Sequence, residues 1–151
     1  MTGPAEGKIS LNGVVEFKTV SGSQSIDCDI YLHVKGYSLA RVTHVDLENP
    51  VLNELLPPKK SLYLPFRIKS SKIEIILRDK VYMKSLGTHV HRLIIYCPIL
   101  ASSLGEGVKS SVYIGGKYGG IFLGFKKEYV RRLESLAVKL GVKPRGKKLE
   151  V

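Results

Sequence analysis

Between Gln24 and Lys35 the chain alternates without a break: Ile26, Cys28, Ile30, Leu32 and Val34 fall on one side, and Asp27, Asp29, Tyr31, His33 and Lys35 on the other. A period of two places successive side chains on opposite faces of an extended strand, whereas a helix would scatter these apolar residues around its circumference. The segment is therefore a strand buried on one face, and it needs paired neighbours. Shorter runs of the same kind occur at 14–20, 39–47, 62–68, 73–79, 81–86, 90–96 and 112–125. Turn residues separate them at Asn12-Gly13, Ser21-Gly22-Ser23, Gly36, Ser70-Ser71, Gly87 and the cluster 115–120. Asn12-Gly13 predicts a type I′ hairpin turn, because both central residues of that turn take positive φ.

Two helices interrupt this pattern. Asn49-Pro50, followed by Val51, Leu52, Leu55 and Leu56 and stopped by Pro57-Pro58, reads as a short connector. Over 126–140, Tyr129, Val130, Leu133, Leu136, Ala137 and Leu140 recur at spacings of three and four. Gly141 and Pro144 end that helix. A helix of this length persists by packing its apolar stripe on an open end or face of the sheet. The expected fold is mainly β (all-β or α+β): an antiparallel small barrel or sandwich of about seven to nine short strands, with the connector and one C-terminal amphipathic helix. One domain accounts for the 151 residues. It divides into a leader over 1–7, a β-rich body over 8–125, the helix over 126–140 and a basic tail over 141–151.

Whole function classes drop out on composition. No apolar run approaches the roughly 18 to 20 residues that cross a bilayer as a helix. The N-terminal residues lack the basic start and apolar stretch of a signal peptide, so a cytoplasmic location is expected. Cys28 and Cys97 lie inside apolar strand patterns and are expected as buried free thiols, poor nucleophiles in such a setting. Gln24 is the single glutamine, Asn is scarce and Lys abundant, a composition that suits a thermophile.

Charge is the most informative functional feature. The chain carries a net +11, unevenly divided. Residues 1–55 hold four basic and seven acidic residues, 56–92 nine and two, 93–125 two and one, and 126–151 nine and three. The excess belongs to the middle strands and to the C-terminal helix with its tail. Alternation sends Tyr63, Arg67 and Lys69 outward from one strand and Arg78, Lys80, Tyr82 and Lys84 from the next. The helix adds Lys127, Arg131, Arg132 and Lys139. Cations neutralise phosphates and tyrosine faces stack on bases, so this set is the expected surface for DNA or RNA. A solvated basic face, or one that meets an acidic protein partner, is the competing explanation.

Catalytic signatures are weak by comparison. His89 and His91, two apart on a strand, would share one face about 7 Å apart and would need Asp46 or His33 as a further ligand to hold a metal. Without a Cys-x-x-Cys or His-Glu-x-x-His pattern, no metal and no cofactor is expected. The segment 105–110 lacks the order of a phosphate-binding P-loop, and the glycines of 115–120 fit a hairpin turn. Glu16-Phe17-Lys18 has the Glu-x-Lys form of metal-dependent nucleases but needs a second acid, from Asp27, Asp29 or Asp46. An enzyme is thus the less favoured reading.

The stretch Tyr118-Gly-Gly-Ile-Phe-Leu123, after Val112-Tyr113-Ile114, is similar to the Tyr/Phe-Gly-Gly-Leu-Leu strand of the small OB-type barrel subunit of archaeal and eukaryotic RNA polymerases. The strands that end in Asp29–Val34 resemble that family loosely as well. The resemblance implies an OB-like barrel that serves as a structural subunit or adaptor of a multiprotein assembly.

Overall fold

The computed structural model describes residues 7–35, 41–55, 61–115 and 121–142, and for 61–63 and 110–115 the backbone alone. Eight strands form the body: β1 (Gly7–Thr19), β2 (Gly22–Val34), β3 (Val42–Glu48), β4 (Ser61–Lys69), β5 (Lys72–Met83), β6 (Thr88–Tyr96), β7 (Lys109–Gly115) and β8 (Ile121–Gly124). A 3-10 helix spans Pro50–Leu55, α1 spans Pro98–Leu104 and α2 spans Lys127–Lys139. All neighbouring strands are antiparallel, in the order β1-β2-β3-β8-β7-β4-β5-β6, and β6 returns to β1 to close a barrel. The expectation of an antiparallel barrel with a connector and a C-terminal helix holds.

Alternation explains why the barrel closes around an apolar interior. From β2 come Ile30 and Leu32, from β1 Val15 and Phe17, from β5 Ile73 and Ile75, and from β6 Leu93 and Ile95, all with no exposed surface. Side chains of this size fill an eight-stranded barrel.

Strand register defines two ends. At one, Val34 pairs with Val42, Lys69 with Lys72 and Arg67 with Lys109. Here α1 and α2 pack their buried residues Leu100, Ala101 and Leu104 against Leu133, Leu136 and Ala137. At the far end, Thr19 pairs with Gly22 and Met83 with Thr88. The 3-10 helix closes that end with buried Leu52 and Leu55, and the Glu54 carboxylate accepts hydrogen bonds from the Ser85 amide and hydroxyl.

Several local expectations are corrected. Asn12-Gly13 is no turn: it lies within β1, opposite Asp29 and Cys28. Glycine is needed there for space, since a Cβ on Gly13 would collide with Ile30 Cδ1. The run 73–79 and the first half of the run 81–86 belong to one strand, β5, which ends at Met83 with 84–86 in the following turn; its register slips between Ile76 and Val81, so that residues 77–80 face His91 alone. Helix α1, with Pro98 in its first turn, follows from Leu100, Ala101 and Leu104 on one side, a pattern too short to stand out in the sequence. The leader residues 1–6, Gly36, the turn residues 116–120 and the tail over 143–151 lie outside the described residues.

The Ser70-Ser71 turn has both residues in the left-handed region, φ 54° and 60°, as a two-residue hairpin turn requires. The Glu106 carboxylate accepts the Ser70 amide at 2.9 Å. Because a non-glycine residue pays about 1 kcal/mol for this conformation, Ser71→Gly should raise the unfolding free energy by about that amount in urea titrations.

At the β1–β6 seam, Tyr96 donates its hydroxyl to Glu16 Oε1 at 2.7 Å, and Lys18 Nζ lies 3.1 Å from Glu16 Oε2. The Tyr96 hydrogen bond, then that of Lys18, holds the Glu16 carboxyl below its ordinary value. The same bond pushes the Tyr96 phenol up. A carboxyl with a depressed folded pKa stabilises the fold above its unfolded value, and the benefit disappears as pH falls through the folded one. Glu16→Gln should therefore lower stability near neutrality and flatten the loss of stability on acidification below about pH 4.5, the ordinary Glu value. Denaturant midpoints measured from pH 2 to 7 check this.

Candidate functional site

The cations singled out in the sequence separate into three groups. On the outer face of β4, Arg67 and Lys69 are exposed, and the side chain of Tyr63 lies outside the described residues. Arg67 Nε lies 2.6 Å from Glu74 Oε1, while Arg92 Nη1 lies 2.7 Å from Glu74 Oε2. Burial would push the Glu74 carboxyl up, but the two guanidiniums outweigh it and hold the group below its ordinary range. Arg67 is thus committed to an ion-pair network across β4, β5 and β6.

A second group stands on the irregular part of β5. Arg78, Asp79 and Lys80 are all exposed, since the slipped register breaks the expected alternation there. Tyr82, 55% exposed, meets His89 edge-on with ring centroids 5.2 Å apart. Lys84 is exposed just beyond the strand. His91 sits where the register of β6 slips against both neighbours, so His89 and His91 are not consecutive positions of one regular face. Strands β1 and β2 separate them from β3, and neither Asp46 nor His33 reaches them.

The third group belongs to α2. Lys127 and Arg131 line a groove of about 600 Å³ together with Arg41, Val42, Thr43, Val130 and Glu134. This groove runs between the start of β3 and the exposed side of the helix. Arg132 is employed differently, as its Nη1 donates to the Leu104 carbonyl and its guanidinium lies 5.2 Å from the Tyr129 ring. It ties α2 to the end of α1. Lys139 is exposed in the last turn of α2, where a cation complements the helix dipole.

Beside the groove lies a cluster that the sequence signalled only in pieces. His33 of β2 and His44 of β3 are direct cross-strand partners, and Asp46 follows two residues after His44 on the same face. The two imidazoles stack with centroids 4.1 Å apart, and His44 stacks in turn on Phe122 of β8 at 4.7 Å. His33 Nε2 lies 2.8 Å from Asp46 Oδ2, and His44 Nε2 lies 3.4 Å from the same oxygen. Asp46 is 1% exposed although it faces out of the barrel. Thr43, which lines the groove, places its Oγ1 3.2 Å from His44 Nδ1. Burial lowers the affinity of His44 for a proton, and Asp46 opposes this while His33 reinforces it.

The remaining candidates resolve differently. Glu16 is engaged by Tyr96 and Lys18, and among the described residues the one cluster of three metal-type ligands is His33, His44 and Asp46. Cys28 and Cys97 are buried free thiols; burial first, then neighbouring carboxylates, pushes Cys28 up to about 12, and burial raises Cys97. Neither supplies a thiolate nucleophile near neutral pH. No helix among the described residues is long and apolar enough to cross a membrane.

Comparison of the chain with protein-family models, with curated proteins and with solved structures gave no match.

Since a hydrogen bond to a charged group contributes about 1.5–3 kcal/mol, Arg132→Ala should cost roughly that much stability through α2. The exposed Lys127→Ala should change the denaturation midpoint little, and the two variants compared by thermal melting separate the anchoring residue from the groove-lining one.

Proposed function

We propose that the protein binds nucleic acid through phosphate contacts at the helix-capped end of the barrel. The observation that carries this reading is the groove between β3 and α2. It brings Arg41 together with Lys127 and Arg131, residues far apart in the chain. Lys69 and Lys72, at the tip of the β4–β5 hairpin, are exposed at the same end, as is Lys109 at the start of β7. A phosphate backbone rewards this kind of gathering, because each cation that meets a phosphate releases condensed counterions.

Arg67 and Arg132 do not belong to this surface, for Glu74 and the Leu104 carbonyl already engage them. Arg78, Lys80, Tyr82 and Lys84 lie on β5 and just beyond it, with β8, β7 and β4 between them and the groove strand β3. They form a separate face, where Tyr82 is the exposed aromatic available for stacking. With contacts to phosphate dominant, sequence preference should be slight and salt dependence steep.

Fluorescence anisotropy with a labelled single-stranded oligonucleotide over a series of salt concentrations tests the proposal. Each phosphate contact contributes about 0.7 to the slope of log K against log salt on single strands. Lys127→Ala with Arg131→Ala should therefore reduce the slope by about 1.4, while Arg78→Ala with Lys80→Ala leaves it nearly unchanged. Absence of binding to single-stranded or duplex DNA or RNA at micromolar protein and low salt would overturn the assignment.

A further inference from the structure

We infer that His33, His44 and Asp46 form a binding site for a divalent transition-metal ion of the zinc class. This inference does not depend on the nucleic-acid reading. The carboxylate of Asp46 is almost fully removed from solvent on the outer face of β3. Both imidazoles approach it through one oxygen, Oδ2, and its Oδ1 has no hydrogen-bond partner among the described residues. A buried carboxylate in that condition is costly unless a positive charge lies against it. No Lys or Arg ion pair reaches it among the described residues; its close neighbours are two imidazole nitrogens on the same oxygen, at 2.8 and 3.4 Å.

Those separations fall on either side of the spacing of ligands around a shared ion, so that small side-chain rotations would bring the donors to it. Bonds of about 2.0–2.1 Å to zinc in a tetrahedral arrangement put neighbouring donor atoms roughly 3.3 Å apart. The three donor atoms lie within 4.8 Å of one another. Two imidazoles and one carboxylate constitute a zinc-type donor set, and the presence of imidazole argues against magnesium or calcium, which prefer oxygen alone. Entry of the ion requires the stacked rings to turn about their Cβ–Cγ bonds so that both lone pairs converge. A fourth position remains for water or another small donor, as in three-ligand zinc sites.

Support for the ligands is already in place. The cross-strand register fixes His33 beside His44, and a period of two fixes Asp46 on the same face. Thr43 Oγ1, 3.2 Å from His44 Nδ1, is placed to orient that ring through its other nitrogen, as outer partners of metal-bound histidines do.

The test is calorimetric titration of the chelator-treated full chain with Zn²⁺, paired with Co²⁺ absorption spectroscopy. One ion per chain is expected, with the visible bands of tetrahedral or five-coordinate Co²⁺ and a melting temperature that rises with added Zn²⁺. His33→Gln and Asp46→Asn should each weaken binding by roughly 100-fold or more, since even changes to supporting residues cost 10–100-fold. Circular dichroism of both variants, and retained binding in His89→Ala with His91→Ala, separate ligand loss from misfolding and from adventitious surface histidines. Absence of stoichiometric binding at micromolar Zn²⁺, undiminished binding by folded His33→Gln or Asp46→Asn, or loss of binding on removal of His89 and His91 would overturn the inference.

Discussion

Closure of the β-sheet at β1 and β6 is the constraint on which the rest of the molecule depends. Val14–Lys18 pair with Arg92–Tyr96, and this seam joins the first strand to the sixth across more than seventy residues of chain. It leaves the sheet without an open edge, the feature that otherwise invites pairing between molecules. It also brings the inner faces of all the strands around one apolar interior. The hydrogen bond from Tyr96 to Glu16 lies on the outer side of this same seam, next to the Lys18 ammonium. A polar contact outside and Val15 with Ile95 inside thus hold one pair of strands together.

The interior is apolar, and on the surface the two ends differ. The helix-capped end carries Arg41, Lys69, Lys72, Lys109, Lys127 and Arg131 against Glu106, Glu128 and Glu134, and the exposed Glu106 accepts the Ser70 amide. Further from it, Asp27, Asp29 and Glu48 line a second depression with Asn12 and Asn49. The groove and this depression thus differ in sign, while the exposed Arg78, Lys80 and Lys84 form a separate basic face toward the far end.

Much of the fold was legible in the sequence because alternation and burial express the same geometry. The run from Ile26 to Val34 is the plainest case, and the stripe from Tyr129 to Ala137 gave the last helix. What escaped was whatever depended on neighbours not yet known. Gly13 resembled a turn glycine because a sequence shows no Ile30 across the strand pair. His33 and Asp46 were considered only as partners of His89 and His91; their grouping with His44 needs the register between β2 and β3, and no local pattern encodes that. The same holds for Arg132, indistinguishable from Arg131 in the chain and yet turned to a carbonyl while its neighbour faces the groove.

The anchoring of Arg132 has a mechanical consequence. Lys127 and Arg131 form one bank of the groove, and the helix that bears them is referenced to the barrel through the last carbonyl of α1. The short helix after Cys97 therefore works as a shim: its length and seating gauge how far apart the two banks stand. Substitutions within that spacer would retune the width of the cleft without altering any side chain that lines it.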